Sequence, residues 1–171
     1  MSEGVEELSI YLMSLKPRYA RAIFAGVKKY ELRRLTGLPP VEEGSRIVVY
    51  ASGNVKALVG EFRAGRILQG APEALWARVR RPGSGLGEDA WEYIRGAKRA
   101  MAIEVLEPRL YQRPVSLEEI RRIIPGWNPP FSYKRLEEGD PLLELVLQPI
   151  WASGLAQNPP DARKRGRLKL F

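Results

Sequence analysis

Four residues with chemical potential fall close together near the start of the chain. Lys16 precedes Pro17, and Gly26-Val27-Lys28-Lys29-Tyr30-Glu31-Leu32-Arg33 follows a short apolar stretch. Lys28 and Arg33 are cations of different kinds, a point charge and a planar fork, and Glu31 stands between them. Gathered at one place, such cations attract a phosphate or a polarised carbonyl. The carboxylate holds the cations, or accepts hydrogen bonds from a base edge such as an exocyclic amine. The spacing is also that of an ordinary surface strand carrying an exposed Glu–Arg pair, which contributes little. Both readings stand at the level of the sequence.

The elements around these residues can be read from periodicity. Leu8 to Leu15 is mostly apolar and reads as a first strand. Pro17 sits as an N1 proline, Arg18 to Ala25 has helical spacing, and Gly26 ends the helix. Lys28 to Arg34 alternates as a second strand, with Tyr30 and Leu32 on one side and Glu31 and Arg33 on the other. Lys16 therefore stands at the helix start and Lys28 just past its end. Arg46 to Ala51 is apolar enough to be a central strand. Ala57 to Leu68 is a long strand whose Gly60 and Gly65 predict a bend or bulge. Pro72 to Val79 and Glu88 to Arg95 read as helices, and Ala100 to Leu106 as a fifth strand. Ser116-Leu117-Glu118-Glu119 matches a capping box that opens a helix through Ile124. Gly126 to Tyr133 is a loop rich in Pro and aromatics, and Leu142 to Leu147 fits a strand or a helix. The sum is an α+β domain with a small, curved, mainly antiparallel sheet and several short helices.

Composition removes whole classes of chemistry. The 171 residues include no Cys and no His. A thiol nucleophile, a disulfide and a thiolate metal site are excluded. So are a Ser-His-Asp triad and an imidazole base. The acids are scattered without metal-ligand spacing, so the expectation is no metal and no cofactor. Glu42-Glu43 and Glu137-Glu138 read as solvated loop charges. Gly83-Ser84-Gly85-Leu86-Gly87 lacks a preceding strand and the Lys-Ser/Thr of a phosphate loop, and reads as a flexible linker. The four tryptophans read first as packing residues. Trp127 and Trp151 flank the late loop and could cover a cleft.

The stretch from Leu15-Lys16-Pro17 through Arg33, with its Gly-x-Lys-x-x-Glu-x-Arg core, resembles the ASCH domain of the PUA-like superfamily. Val48-Val49-Tyr50-Ala51-Ser52, Leu58-Val59-Gly60-Glu61-Phe62, Tyr93-Ile94-Arg95-Gly96, Arg99 to Ile103 and Pro129-Pro130-Phe131-Ser132-Tyr133 resemble later parts of the same family. The resemblance covers roughly residues 8 to 150. It implies a PUA-like β-barrel with a cleft beside the first helix, in which Lys28, Glu31 and Arg33 lie. It implies RNA or nucleotide binding linked to transcription or translation. For some members it implies amide hydrolysis on an acylated cytidine, and for others ribonuclease activity. Glu31 stands where those amidohydrolases carry a threonine, so the expected nucleophile is missing.

A cleft of this kind would hold Lys16, Lys28 and Arg33 toward a phosphate, with Tyr50, Phe131 or Tyr133 stacking a base. In an enzyme, Lys28 and Glu31 are the candidate catalytic residues. A desolvated Lys28 would serve as a general base, and Ser52 is a candidate nucleophile that also fits a plain turn residue.

Charge is concentrated at the end. With 28 Lys and Arg against 20 Asp and Glu, the net charge is +8. Arg163, Lys164, Arg165, Arg167 and Lys169 follow the breaker Gln157-Asn158-Pro159-Pro160. Residues 156–171 therefore read as a basic, flexible tail behind a domain of residues 1–155. Such a tail either frays in solvent or touches phosphates without reading sequence. The expected partner is RNA, a nucleotide or a nucleoside, with no membrane. The setting expected is cytoplasmic, and the abundance of Arg and Glu hints at a thermophile.

Overall fold

The computed structural model describes residues 8–148 and Phe171. The chain runs β1 (Ile10–Leu15), α1 (Pro17–Phe24), β2 (Tyr30–Arg34), β3 (Arg46–Ala51) and β4 (Ala57–Gly70). It continues with α2 (Pro72–Val79), α3 (Glu88–Ile94), β5 (Ala100–Ser116), α4 (Leu117–Ile123), β6 (Tyr133–Arg135) and α5 (Pro141–Leu147). The six strands form one sheet in the order β2-β5-β4-β3-β1-β6. Every neighbouring pair is antiparallel except β1 and β3. The sheet curls into a half-barrel decorated by short helices, as the α+β expectation required.

Local chemistry accounts for most boundaries. Pro17, Pro72 and Pro141 each occupy the first helical turn, where a missing N–H costs nothing. Ser116 caps α4 by accepting a hydrogen bond from the Glu119 N–H. The segment whose type the sequence left open, 142–147, is helical, with Asp140 capping it through the Leu142 N–H. At Gly60 a Cβ would lie 2.4 Å from the Arg109 carbonyl oxygen and 2.8 Å from the Phe24 ring. A side chain there would hold the strand and α1 apart.

Curvature comes from β4 and β5. Their pairing shifts register between Leu58 and Gly60, Glu61 and Arg63, and Ala64 and Ile67. Each bulge bends the ribbon and adds twist. β5 runs on to Ser116, well past Leu106 where its apolar pattern ends. Pro108, Pro114 and the left-handed Glu107 (φ 49°) fall in that extension and hide it from a periodicity reading.

Because both faces of the sheet are covered, β3 is buried on both. Ile47, Val49 and Ala51 face the inner core with Tyr11, Met13, Phe62 and Ile103. Val48 and Tyr50 face an outer core under α4 and α5 with Leu12, Tyr111 and Trp127. A third core, around Leu32, Leu75, Val79 and Ile94, lies under α2 and α3. Among the described residues no helix is long and apolar enough to cross a membrane.

Candidate functional site

The turn after α1 places the site. Gly26, at φ +75°, ends the helix, and the N–H groups of both Val27 and Lys28 donate to the Ala22 carbonyl. The chain reverses there and enters β2. Glu31 pairs across from Ile103 and Arg33 from Met101, so both project toward the inner core. Leu32 takes the opposite face, in the core under α2 and α3. The exposed Glu–Arg pair that the spacing also allowed is therefore not formed. Lys28, Glu31 and Arg33 are only 7%, 5% and 7% exposed.

The three form a buried ionic knot of net charge +1. Lys28 Nζ donates to Glu31 Oε2 at 2.6 Å, and Arg33 Nε to Glu31 Oε1 at 3.1 Å. Burial alone would raise the Glu31 pKa, but the two cations and their hydrogen bonds outweigh it and hold the carboxyl below its ordinary value. Glu31 thus stays ionised, with each oxygen engaged by one cation.

Arg33 also ties the sheet shut. Its Nη2 donates to the Ser14 carbonyl at 2.7 Å and its Nη1 to Ser132 Oγ at 3.3 Å. Ser14 N–H donates to the Ser132 carbonyl, and Ser14 Oγ to the Pro130 carbonyl. β2 lies at one edge of the sheet, and β1 and β6 at the other. One guanidinium therefore bridges the two edges.

Lys28 is held from two more directions. Its Nζ lies 4.6 Å from the centre of the Tyr19 ring, a cation–π contact. The Tyr19 hydroxyl donates to Asp89 Oδ2 of α3 at 2.8 Å. Behind Lys28, the Ser84 carbonyl accepts from the Lys29 N–H, and Ser84 is buried. A Cβ on Gly85, which has φ +76°, would come within 2.1 Å of the Val27 carbonyl oxygen. The glycine-rich segment 83–87 is therefore docked against the Lys28 turn. Its flexible-linker composition reflects a close backbone approach.

The remaining candidates separate. Lys16 is exposed at the start of α1, and Phe131 is fully exposed. They flank the knot through the chain, because Arg33 bonds Ser14 and Ser132. Tyr50, 2% exposed, packs edge-on to Trp127 at 5.9 Å in the outer core. Tyr133, 3% exposed, donates its hydroxyl to the Pro39 carbonyl. Neither tyrosine has a ring face free for a base, a correction to the stacking expectation. Trp127 likewise packs in the outer core and covers no cleft. Ser52 bonds the Leu15 carbonyl through both N–H and Oγ, as a turn residue does. Glu42 and Glu43 are not merely solvated: Glu42 accepts from Ser9 and Arg135, and Glu43 from the Ile67 N–H. Trp151, Arg163, Lys164, Arg165, Arg167 and the boundary at 155 lie outside the described residues. Ser14, Tyr19 and Asp89 carry no local pattern that marks them as site residues, and Ser132 is marked only by the resemblance of its loop.

No family model matches the sequence. A curated ASCH domain-containing ribonuclease from Zymomonas mobilis is 32% identical over 139 residues, which are 80% of this chain and 92% of the relative. This chain belongs to the ASCH domain family. The crystal structure of the ASCH protein from Zymomonas mobilis superposes on this ASCH domain with a TM-score of 0.66 at 28% identity, covering 81% of this chain and 94% of that one. A mutant form of it reaches 31% identity at the same TM-score, covering 80% and 96%. A human protein solved with 5-methylcytosine-containing DNA aligns at 14% identity and TM-score 0.50, over 81% of this chain and 95% of its own, which shows a shared fold.

Proposed function

We propose that this ASCH domain binds RNA in the cytoplasm, at the face over the Lys28–Glu31–Arg33 knot. The observation that carries this is the 32% identity to a ribonuclease across 92% of that protein's length. The geometry supports it. The knot leaves one unbalanced positive charge, and Arg33 is bonded to Ser14 and Ser132, which stand beside Lys16 and Phe131 in the chain. Lys16 would meet a phosphate, and the bare Phe131 ring would stack an unpaired base. Glu31 is an anchor for the two cations and has no free oxygen to offer a base edge.

The same relative favours a second reading, in which the bound RNA is cleaved. Lys28 and Arg33 would then stabilise negative charge developing on the phosphoryl group. Glu31, held ionised, keeps them in place. This reading favours RNA over the amide of a modified nucleoside as the scissile group.

The test is a titration of labelled single-stranded RNA, followed by a gel assay for cleavage. Phe131→Ala should weaken binding about tenfold or more, from loss of one stacked base. Loss of cleavage in Lys28→Ala, with binding retained, would support the nuclease. A wild-type chain that neither binds nor cuts RNA would end both readings.

A further inference from the structure

Cations on this molecule differ in whether they have partners. Around α4, β6 and α5 they are matched: Arg113 with Glu119, Arg122 with Glu118, Lys134 with Asp140 and Arg135 with Glu42, at 2.9 to 3.3 Å. Arg121 donates to the Trp127 carbonyl and to Asn128. The excursion from 71 to 99, which carries α2 and α3, is different. Arg95 pairs with Glu92. Arg78, Arg80, Arg81, Lys98 and Arg99 are exposed, and none makes a side-chain hydrogen bond or ion pair among the described residues.

These cations fall into two groups fixed against the ends of β2. The Arg81 carbonyl accepts from Ser84 N–H, and the Ser84 carbonyl from Lys29 N–H, at the start of the strand. The Arg99 carbonyl accepts from Leu35 N–H, just past its end. A five-residue strand spans roughly 17 Å, which is beyond the Debye length of about 8 Å at physiological salt. Each group therefore attracts anions on its own. Cations without internal partners keep their counterions until a polyanion displaces them.

We infer that the α2–α3 excursion is a phosphate-backbone contact surface, on which a single RNA strand is held at two points, one near each end of β2. This rests on the RNA reading above and adds to it a strand path away from the knot. Contacts of this kind carry affinity and register without sequence preference.

The experiment measures the salt dependence of binding by the full chain to a labelled single-stranded uridine oligonucleotide, between 50 and 200 mM salt, as set by the range over which phosphate contacts are resolved. The variant Arg80→Gln/Arg81→Gln/Lys98→Gln/Arg99→Gln is compared with Arg113→Gln/Arg122→Gln/Lys134→Gln/Arg135→Gln, which removes the same charge from the paired side. The first should make the log–log slope shallower by roughly 3, at about 0.7 per lost contact to a single strand. The second should leave the slope near the wild-type value. An unchanged slope in the first variant, or equal losses in both, overturns the surface while the RNA reading stands. Wild-type protein that ignores the oligonucleotide but binds phosphatidylserine vesicles overturns both.

Discussion

The inner face of β2 and the excursion beside it treat positive charge in opposite ways. Lys28 and Arg33 are buried, share one carboxylate, and hold the sheet closed. Arg80, Arg81, Lys98 and Arg99, on the excursion tied to the two ends of β2, are exposed and unmatched among the described residues. A buried cation must be paired, because desolvation without a partner costs several kcal/mol. An exposed one need not be, so its lack of a partner leaves it free for an external anion. Here the buried, paired cations hold the sheet closed, and the exposed ones of the excursion stay open to solvent.

The sharpest way to break this contrast is to remove the shared anion. Glu31→Gln should cost about 3–5 kcal/mol of folding stability, since it leaves two buried cations facing each other. Denaturant unfolding measures it, and a loss near that of a surface change would show that the knot does not close the barrel. Acid should act on the same group. Lys28 and Arg33 hold the Glu31 carboxyl below its ordinary value in the folded chain. Its contribution is complete above the unfolded value and is lost as pH falls through the folded one. Thermal midpoints should therefore drop on acidification below about pH 4.5 in the wild type. They should drop less in Glu31→Gln, and parallel curves for the two would rule this group out.

A smaller effect tests the docked loop between the two regions. Gly85→Ala forces a side chain onto the Val27 carbonyl at a positive φ. It should cost about 1–3 kcal/mol, as overpacking does, and should shift the Lys28 side-chain NMR signals. Unchanged Lys28 signals would mean the loop does not set that turn. Ser116→Ala, which removes the cap of α4, should cost about 1 kcal/mol with no change in RNA binding. Smallest of all, Arg122→Ala on the paired side should change stability by less than about 0.5 kcal/mol in a thermal melt, the value of an exposed i,i+4 pair. A loss of RNA affinity there would erase the distinction between the two sides.

Much of the fold is legible locally because its punctuation is local. Pro17 and Pro72 start helices, Gly26 stops one, and the Ser116–Glu119 cap sits where its motif predicts. The unbroken apolar run of β3 marks a strand covered on both faces. The short strand β6 starts on the last residue of the Pro-aromatic loop, and its three residues carry no periodicity. Segment 83–87 has the composition of a linker, yet Ser84 is buried and Gly85 lies against the Val27 backbone. Gly85 serves a neighbour 58 positions away, Val27, that no local window contains.

What the sequence determines by itself is most of the elements, the absence of thiol and imidazole chemistry, and the family, through the Gly-x-Lys-x-x-Glu-x-Arg core. Only the tertiary structure decides that the charged face of β2 points inward. Alternation in a strand has period two, and it is the same whether the charged side meets water or the core. The choice follows from curling β2 onto β1, where Arg33 finds a carbonyl 19 positions before it and a hydroxyl 99 positions after it. Tyr50 and Tyr133 show the converse. As residue types they suit base stacking, yet each lies on a strand face that the curled sheet has already covered.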